Sequence, residues 1–568
     1  MAHPVITTAR PSTDVGGDAS SAREAPLTPP SAGATRVVAA GLVLSKPAAY
    51  LREAILAARF GTGRSMDVFT LAMTTAQAAW AVVGTPLSRV LIPVLVRARS
   101  ARGERGLAAT SGAVLWAALA ISVLLGIGLL ALSSPLSLLL TGGGPARSGL
   151  AVLLRWLSPL PLALTLSTFA TGWLQARERF TLPAFVALPV DLGIIGFVLF
   201  DGRHGALAAA WGLLVGTTLQ FVWQWPGLRY HRWRAPLPTG PRQALADPGV
   251  AAVSGMAIPL LVSVGAQQAA NLLQQALAAR LGVGNVAALN YATRVLDLPS
   301  AVFTLPIVTV ALPHFAALAT AARVQEANQT LRRTVDRLLA ALLPCTLFIL
   351  LLRRGIAAAI FEHGAFGHLS VLATAGALAG YAPLAVGYGL QALLRVFFYA
   401  KQDVRTPMIW DIVNLVVTGG LDLALAHAMG QVGLAFGMSI GTLVAGVGMW
   451  VTAVRAAGDA SGGGGLGGTA GRAESTTVRP ARPVRVVAPL VLGSLALIAV
   501  TAVVGRMPEL QGAGWLHAAV LVSAAGSAGS LAYVAVFSLA GGGPVLRDLV
   551  GIARAARAGR GAVRPDEP

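Results

Sequence analysis

Eleven ionisable residues interrupt long apolar runs of this chain: Arg52, Glu53, Asp67, Arg89, Arg155, Asp191, Arg294, Asp297, Arg395, Asp411 and Asp422. An ionisable side chain in mid-membrane costs at least ~2.5–3.5 kcal/mol, so it faces a cavity or finds a partner. Arg89, Arg155 and Arg395 fit snorkelling to an interface or pairing with a neighbouring helix. Asp297 precedes Leu298-Pro299 and fits backbone freed at a kink. Asp191, Asp411 and Asp422 fit ion pairs across helices. Arg52 and Arg294 are different, because each lies on the first two helices of one half of an internal repeat. Two guanidinium groups in a low-dielectric cavity favour an anion, and their forked donors match phosphate oxygens.

Nothing in the chain resembles a catalyst. There is no Gly-rich loop followed by Lys-Ser/Thr, no His-Glu-x-x-His and no paired acids in a large extramembrane domain. The single cysteine, Cys345, rules out an intrachain disulfide, and His363 and His368 read as solvated loop residues. No cofactor is expected.

The elements that must position these residues follow from composition. Of 568 residues 55% are hydrophobic and 12% charged, with a mean hydropathy of +0.70. Soluble proteins carry roughly twice that share of charge. Runs of about twenty apolar residues recur, which predicts an all-α membrane protein of about fourteen transmembrane helices. The seventh span is the weakest by hydropathy because it holds Gln267, Gln268, Gln274 and Gln275. The net charge of +20 does not point to nucleic acid. The basic residues are mostly Arg in short clusters between apolar runs, which suits orientation signals and contacts with membrane lipids.

Those clusters alternate. Arg97, Arg99, Arg102 and Arg105 occupy one loop, Arg177 and Arg179 another, then Arg229 to Arg242, Arg323 to Arg337, Lys401 with Arg405, and Arg472 to Arg482. The intervening loops are poorer, apart from Arg353 and Arg354, so both termini are expected in the cytoplasm of a bacterial inner-membrane protein. The expected divisions are a disordered tail 1–35, an N-lobe 36–235, a C-lobe 236–457, a Gly-rich linker 458–484, a final pair of spans 485–540 and a basic tail 541–568.

An internal repeat supports two lobes. Leu56-Ala57-Ala58-Arg59-Phe60-Gly61-Thr62-Gly63 recurs as Leu277-Ala278-Ala279-Arg280-Leu281-Gly282-Val283-Gly284, 221 residues on. Ala176–Pro183 is answered by Ala400–Pro407 at an offset of 224. Six spans per copy is even, so the copies are parallel, with a binding site between them. Gly61, Gly63, Gly282 and Gly284 read as helix ends and turns rather than hinges.

The stretch Ser45-Lys46, Arg52-Glu53, Phe60-Gly61-Thr62-Gly63, Asp67 and Ile92-Pro93 resembles the opening of the MurJ (MviN) lipid II flippases of the MOP transporter superfamily. Arg177–Pro183 with Ala184-Phe185, Tyr291–Arg294 with Pro299, and Gln402-Asp403 with Thr406-Pro407 are similar in the same order. The resemblance implies a V-shaped transporter that moves undecaprenyl-pyrophosphate-linked peptidoglycan precursor to the outer leaflet. It implies Ser45, Arg52, Asp67 and Arg294 as essential cavity residues. Lys46, at a family arginine position, joins Ser45, Arg52 and Arg294 in the substrate-binding set, and Glu53 and Asp67 are the coupling or gating candidates. Membrane potential or a monovalent cation would supply the energy, and cell-wall synthesis proteins are candidate partners. The chain departs from the family at Lys46, Thr293, Trp80-Ala81 and Gly84-Thr85-Pro86-Leu87. A flippase for another lipid-linked glycan and a non-transporting cell-wall scaffold are the alternatives; an exporter of cationic drugs would need an acid-dominated cavity instead.

Overall fold

The computed structural model describes residues 32–230, 242, 246–321, 323–462, 484–506 and 514–558. Most of the expected tail 1–35, the arginines at 232 and 234, residues 463–483 of the linker and the chain beyond 558 lie outside the described residues.

The described residues are all-α. The main helices are α1 (Ala32–Phe60), α2 (Arg64–Ala131), α3 (Ser133–Thr141), α4 (Arg147–Trp156), α5 (Leu160–Ala176), α6 (Thr181–Ala184), α7 (Leu188–Phe200) and α8 (Ala206–Tyr230). They continue as α9 (Pro248–Leu281), α10 (Asn285–Pro299), α11 (Leu305–Thr320), α12 (Val324–Phe361), α13 (His368–Tyr381), α14 (Leu384–Ala400), α15 (Arg405–Gly462), α16 (Val484–Val504), α17 (Trp515–Phe537) and α18 (Gly543–Ala558). Among the described residues six helices are long and apolar enough to cross a membrane, or eight if two bent pairs each count as one. The protein is a multi-pass membrane protein. α9, which carries the glutamines, is not among those helices. α1 begins at Ala32, inside the expected tail; α15 runs on to Gly462, inside the expected linker; and the basic tail opens with α18.

Two of the longest helices are hairpins. A straight helix of 68 residues would reach roughly 100 Å, about three times a bilayer core. α2 instead breaks at Gly103, whose φ of 62° and ψ of −156° suit glycine alone. α15 breaks at Gly430 (φ 59°, ψ −137°). Its two arms then run back along each other. A Cβ at Gly437 would meet Asp422, one at Gly441 would meet Thr418, and one at Gly448 would meet Trp410. Glycine lets these backbones approach without help from the hydrophobic effect, which is weak between helices in lipid.

The repeat seen in the sequence is present in the backbone. Among the described residues the two non-glycines with positive φ are Glu178 and Gln402, both at 60° and 224 positions apart. Each ends a helix in the same way: Arg179 N donates to Leu174 O, and Asp403 N to Phe398 O, both at 2.9 Å. Arg177 lies over the Trp173 ring at 4.6 Å and Lys401 over Phe397 at 4.2 Å, at the same offset. The α4–α5 pair bends by 42° at Pro159 and the α13–α14 pair by 44° at Pro383. Proline removes a backbone donor and crowds the preceding turn, which is what breaks both.

The buried apolar residues divide unevenly along the bundle. At the end near Gly61 one core joins both halves, with Leu56, Phe69, Tyr291, Phe361, Phe366 and Tyr381 in it. Towards the opposite end the cores are separate. Leu91, Leu95, Phe169 and Trp173 belong to the first half; Phe315, Leu342, Phe397 and Met449 belong to the second.

Candidate functional site

α1 and α10, which come from different copies of the repeat, bring the ionisable residues together. Arg52 donates from Nη1 to Asp191 on α7 at 2.5 Å and from Nη2 to Glu53 at 2.7 Å. Arg294 on α10 places Nε 3.2 Å from the same Glu53 Oε1, near enough for an ion pair although the N–H is not aligned for a hydrogen bond. Its Nη1 lies 3.5 Å from Asp297, one helical turn on. Tyr50 on α1 donates to the Arg294 carbonyl at 3.3 Å. The result is a chain of alternating charge, Asp191–Arg52–Glu53–Arg294–Asp297.

Three carboxylates against two guanidinium groups leave this chain with one negative charge in excess. The cluster therefore holds no positive charge in excess, and a phosphate would compete with the carboxylates for these guanidinium donors. The two arginines differ in how easily that happens. The Arg52 side chain is 16% exposed and held by two buried acids, each 4% exposed. Arg294 is 32% exposed and its second partner, Asp297, is 51% exposed. Buried pairs hold tightly because a lone buried charge is costly, whereas an exposed pair contributes little.

Arg294 and Asp297 border a cavity of about 280 Å³ between α2, α9, α10, α13 and α14. Thr74 and Gln77 from α2, Gln268, Asn271, Gln274 and Gln275 from α9, and Tyr381 and Tyr388 face the same space. Arg52 is not in its lining; it is joined to Arg294 through the Glu53 carboxylate. Ser45 is buried and Lys46 exposed, earlier on α1, and neither borders this cavity.

Asp67 sits elsewhere. Its carboxylate accepts the backbone N–H of Gly284 at 2.5 Å and of Ala287 at 2.7 Å, so it caps α10 from the other repeat. An acid at a helix N-terminus satisfies donors that no helical carbonyl can reach and meets the positive end of the helix dipole. Arg294 is roughly 14 Å further along the same helix. Around this cap the ends of the two repeats lock together. Ala365 N donates to Ala58 O at 2.7 Å, the Thr62 and Ser370 hydroxyls meet at 2.8 Å, and Tyr291 donates to Gly61 O at 3.3 Å. Gly61 and Gly364 both have positive φ here, and a Cβ on either would fall within 2.5 Å of a facing backbone carbonyl oxygen. The glycines are turns, as expected, and also points of contact between copies.

Of the other ionisable residues in apolar runs, Arg395, Asp411 and Arg155 have local partners. Arg395 pairs with Asp411 and donates to the Gln391 side-chain oxygen at 2.9 Å, while Ser263 donates to Asp411. Arg155 donates to Ser133 and Ser134 at 3.2 Å. Among the described residues Asp297 has only the weak Arg294 pair, and it lies before a π-helical turn at Ser300–Thr304. Among the described residues Asp422, 0% exposed, has no hydrogen-bond partner on either oxygen, so the ion pair expected for it is not seen there. At the altered stretch of α2, the Trp80 indole packs where a Cβ on Gly84 would come within 2.1 Å of it. Among the described residues no group of three His, Cys, Asp or Glu could hold a metal ion.

The sequence singles out Arg52, Glu53, Asp67 and Arg294 but not that one carboxylate joins the two arginines, nor Tyr50, nor Asn271 and Asn290, which both border the cavity. The low hydropathy of α9 was the one signal for the amide-rich wall.

The comparisons with known proteins agree with this architecture. The family model described as "Lipid II flippase MurJ" matches residues 56–506. The lipid II flippase MurJ of Burkholderia cenocepacia is 28% identical over 412 residues, which is 70% of this chain and 79% of that protein. A solved structure titled "Lipid II flippase MurJ, inward closed conformation" superposes with a TM-score of 0.73 at 17% identity, covering 91% of this chain and 100% of that one. An inward-facing multidrug resistance MATE family transporter of the MOP superfamily gives a TM-score of 0.63 at 16% identity, covering 73% of this chain and 96% of its own. With a family model matching most of its length, the chain belongs to the MurJ lipid II flippase family.

Proposed function

We propose that this protein flips lipid II, an undecaprenyl-pyrophosphate-linked peptidoglycan precursor, from the inner to the outer leaflet of the bacterial cell membrane. It is a transporter working by alternating access and not an enzyme. The observation that carries the reading is Arg294 on the wall of a polar cavity where two structural repeats meet, tied through Glu53 to Arg52.

The working architecture is fourteen spans in two parallel six-helix lobes, 36–235 and 236–457, with the pair at 485–540 beside them. The reversals at Gly103 and Gly430 support it, as does a core shared at one end of the bundle and divided at the other. The basic loops lie at the divided end, so with both termini cytoplasmic the cleft opens inward and the Gly61–Gly364 contacts seal the outside.

The cycle then follows from the geometry. A pyrophosphate entering the cleft displaces Asp297 and then Glu53 from Arg294, and Lys46, Ser45 and Arg52 complete its binding. Asp67 must release Gly284 and Ala287 before the outer end can part, so Asp67 and Glu53 act as gate and coupling residues. The polyprenyl tail stays in lipid. An apolar cavity of about 530 Å³ between Phe348 on α12, Leu497 on α16 and Tyr533 on α17 supports a groove for it beside the last two spans. Two negative charges leaving a negative-inside cell across the full field gain roughly 4–5 kcal/mol per 100 mV. A monovalent cation loading on Glu53 or Asp67 is the other source of drive.

Depletion followed by a leaflet-resolved assay for lipid II tests the function. Outward delivery should stop, and R52A or R294A should fail to restore it. A scaffold would tolerate both substitutions, and undiminished delivery in depleted cells would reject lipid II as the cargo. Dissipating the membrane potential at constant pH gradient should slow delivery; an unchanged rate assigns the drive to the cation instead.

A further inference from the structure

The glutamines that make α9 a poor apolar span have a use that the arginine cluster does not explain. Gln268, Asn271 and Gln275 are three and four residues apart, which puts them on one stripe of α9. Gln77 on α2 and Asn290 on α10 face them across the same cavity of about 280 Å³ that Arg294 borders. Their neighbours off the stripe are committed within the protein. Gln274 donates to Leu434 O at 2.8 Å and accepts from Tyr381 at 2.7 Å, and Gln267 reaches Ser263 at 3.3 Å. The stripe itself is not. Among the described residues the side chains of Gln77, Gln268, Asn271 and Asn290 have no hydrogen-bond partner. Gln275 donates to Thr74 at 3.1 Å, yet its carbonyl oxygen is buried without a donor.

Each carboxamide offers two donors and an acceptor without charge. Such groups are poor ligands for pyrophosphate beside a guanidinium, and good ones for hydroxyls and secondary amides. We infer that Gln77, Gln268, Asn271, Gln275 and Asn290 form a neutral subsite that reads the N-acetylated sugar and peptide amides of the headgroup, next to the charged subsite at Arg294. This rests on the proposed lipid-linked cargo and specifies how that cargo is told apart from a bare polyprenyl pyrophosphate. Sites built to hydrogen-bond polar groups of a ligand discriminate well against an analogue that lacks those groups, because the amides lose partners they would otherwise gain.

The test compares two probes on purified full-length protein: a prenyl pyrophosphate bearing the disaccharide-peptide, and the same prenyl pyrophosphate without sugar. Q268L and N271L keep side-chain size, favour the membrane span and remove the polar groups. Each should weaken binding of the glycan-bearing probe about tenfold and leave the sugar-free probe unchanged, so the second probe also reports intact folding. R294A should weaken both. Equal losses on the two probes in Q268L and N271L, or no loss on either, would overturn the neutral subsite. If R294A alters neither probe, the failure belongs to the pyrophosphate reading rather than to the amide stripe.

Discussion

Glu53 of the first repeat lies 3.2 Å from Arg294 of the second, while holding Arg52 at 2.7 Å on the same oxygen. One carboxylate thus joins the two copies behind Arg294, which borders the cavity. Removing it leaves two guanidinium groups facing each other. E53Q should lower stability, and a double-mutant cycle of E53Q with R294A in denaturant unfolding should give a coupling energy on the order of 1–3 kcal/mol. Additive effects would mean that the two side chains do not interact in the folded protein.

Gly61 and Gly364 should not accept a side chain. Their φ values are 53° and 58°, and their Cβ atoms would strike the carbonyls of Ala365 and Ala58. The left-handed conformation alone costs an alanine about 1–2 kcal/mol. G61A and G364A should therefore loosen the sealed end. Spin labels at the exposed positions Arg59 and His368 would report it as a longer, broader distance distribution than in the parent protein.

Asp67 should matter to α10 more through its oxygen than through its charge. D67A removes the acceptor for Gly284 and Ala287 and should cost about 1–2 kcal/mol, as loss of other helix caps does. D67N keeps an acceptor and should retain part of that. Hydrogen exchange at the Gly284 and Ala287 amides is the readout: fastest in D67A, intermediate in D67N, slowest in the parent.

Glu178 and Gln402 are ordinary side chains in a conformation that glycine prefers. E178G and Q402G should each raise stability by up to about 1 kcal/mol, and the two gains should add because the sites are distant. A gain at one site only would show that the matched backbone geometry hides unequal surroundings.

The sequence by itself determined the class of protein, the alternation of basic loops and the repeat. Each of these depends on local chemistry: apolar run length, Pro and Gly at helix ends, and arginine beside a lipid headgroup layer. It also picked out Arg52, Glu53, Asp67 and Arg294, since an ionisable group in an apolar run is conspicuous whatever it touches. Partnership was decided only by the tertiary structure. Glu53 and Arg294 are 241 residues apart, and Asp67 and Gly284 are 217 apart. No local rule says which acid an arginine will meet when several lie at similar depth. Nor could composition tell that Gln274 would be tied to Leu434 and Tyr381 while Gln268, on another face of the same helix, would be left open to the cavity. Adjacent residues on a helix point about 100° apart, and which direction meets a neighbour and which meets a void is fixed by how the two repeats pack.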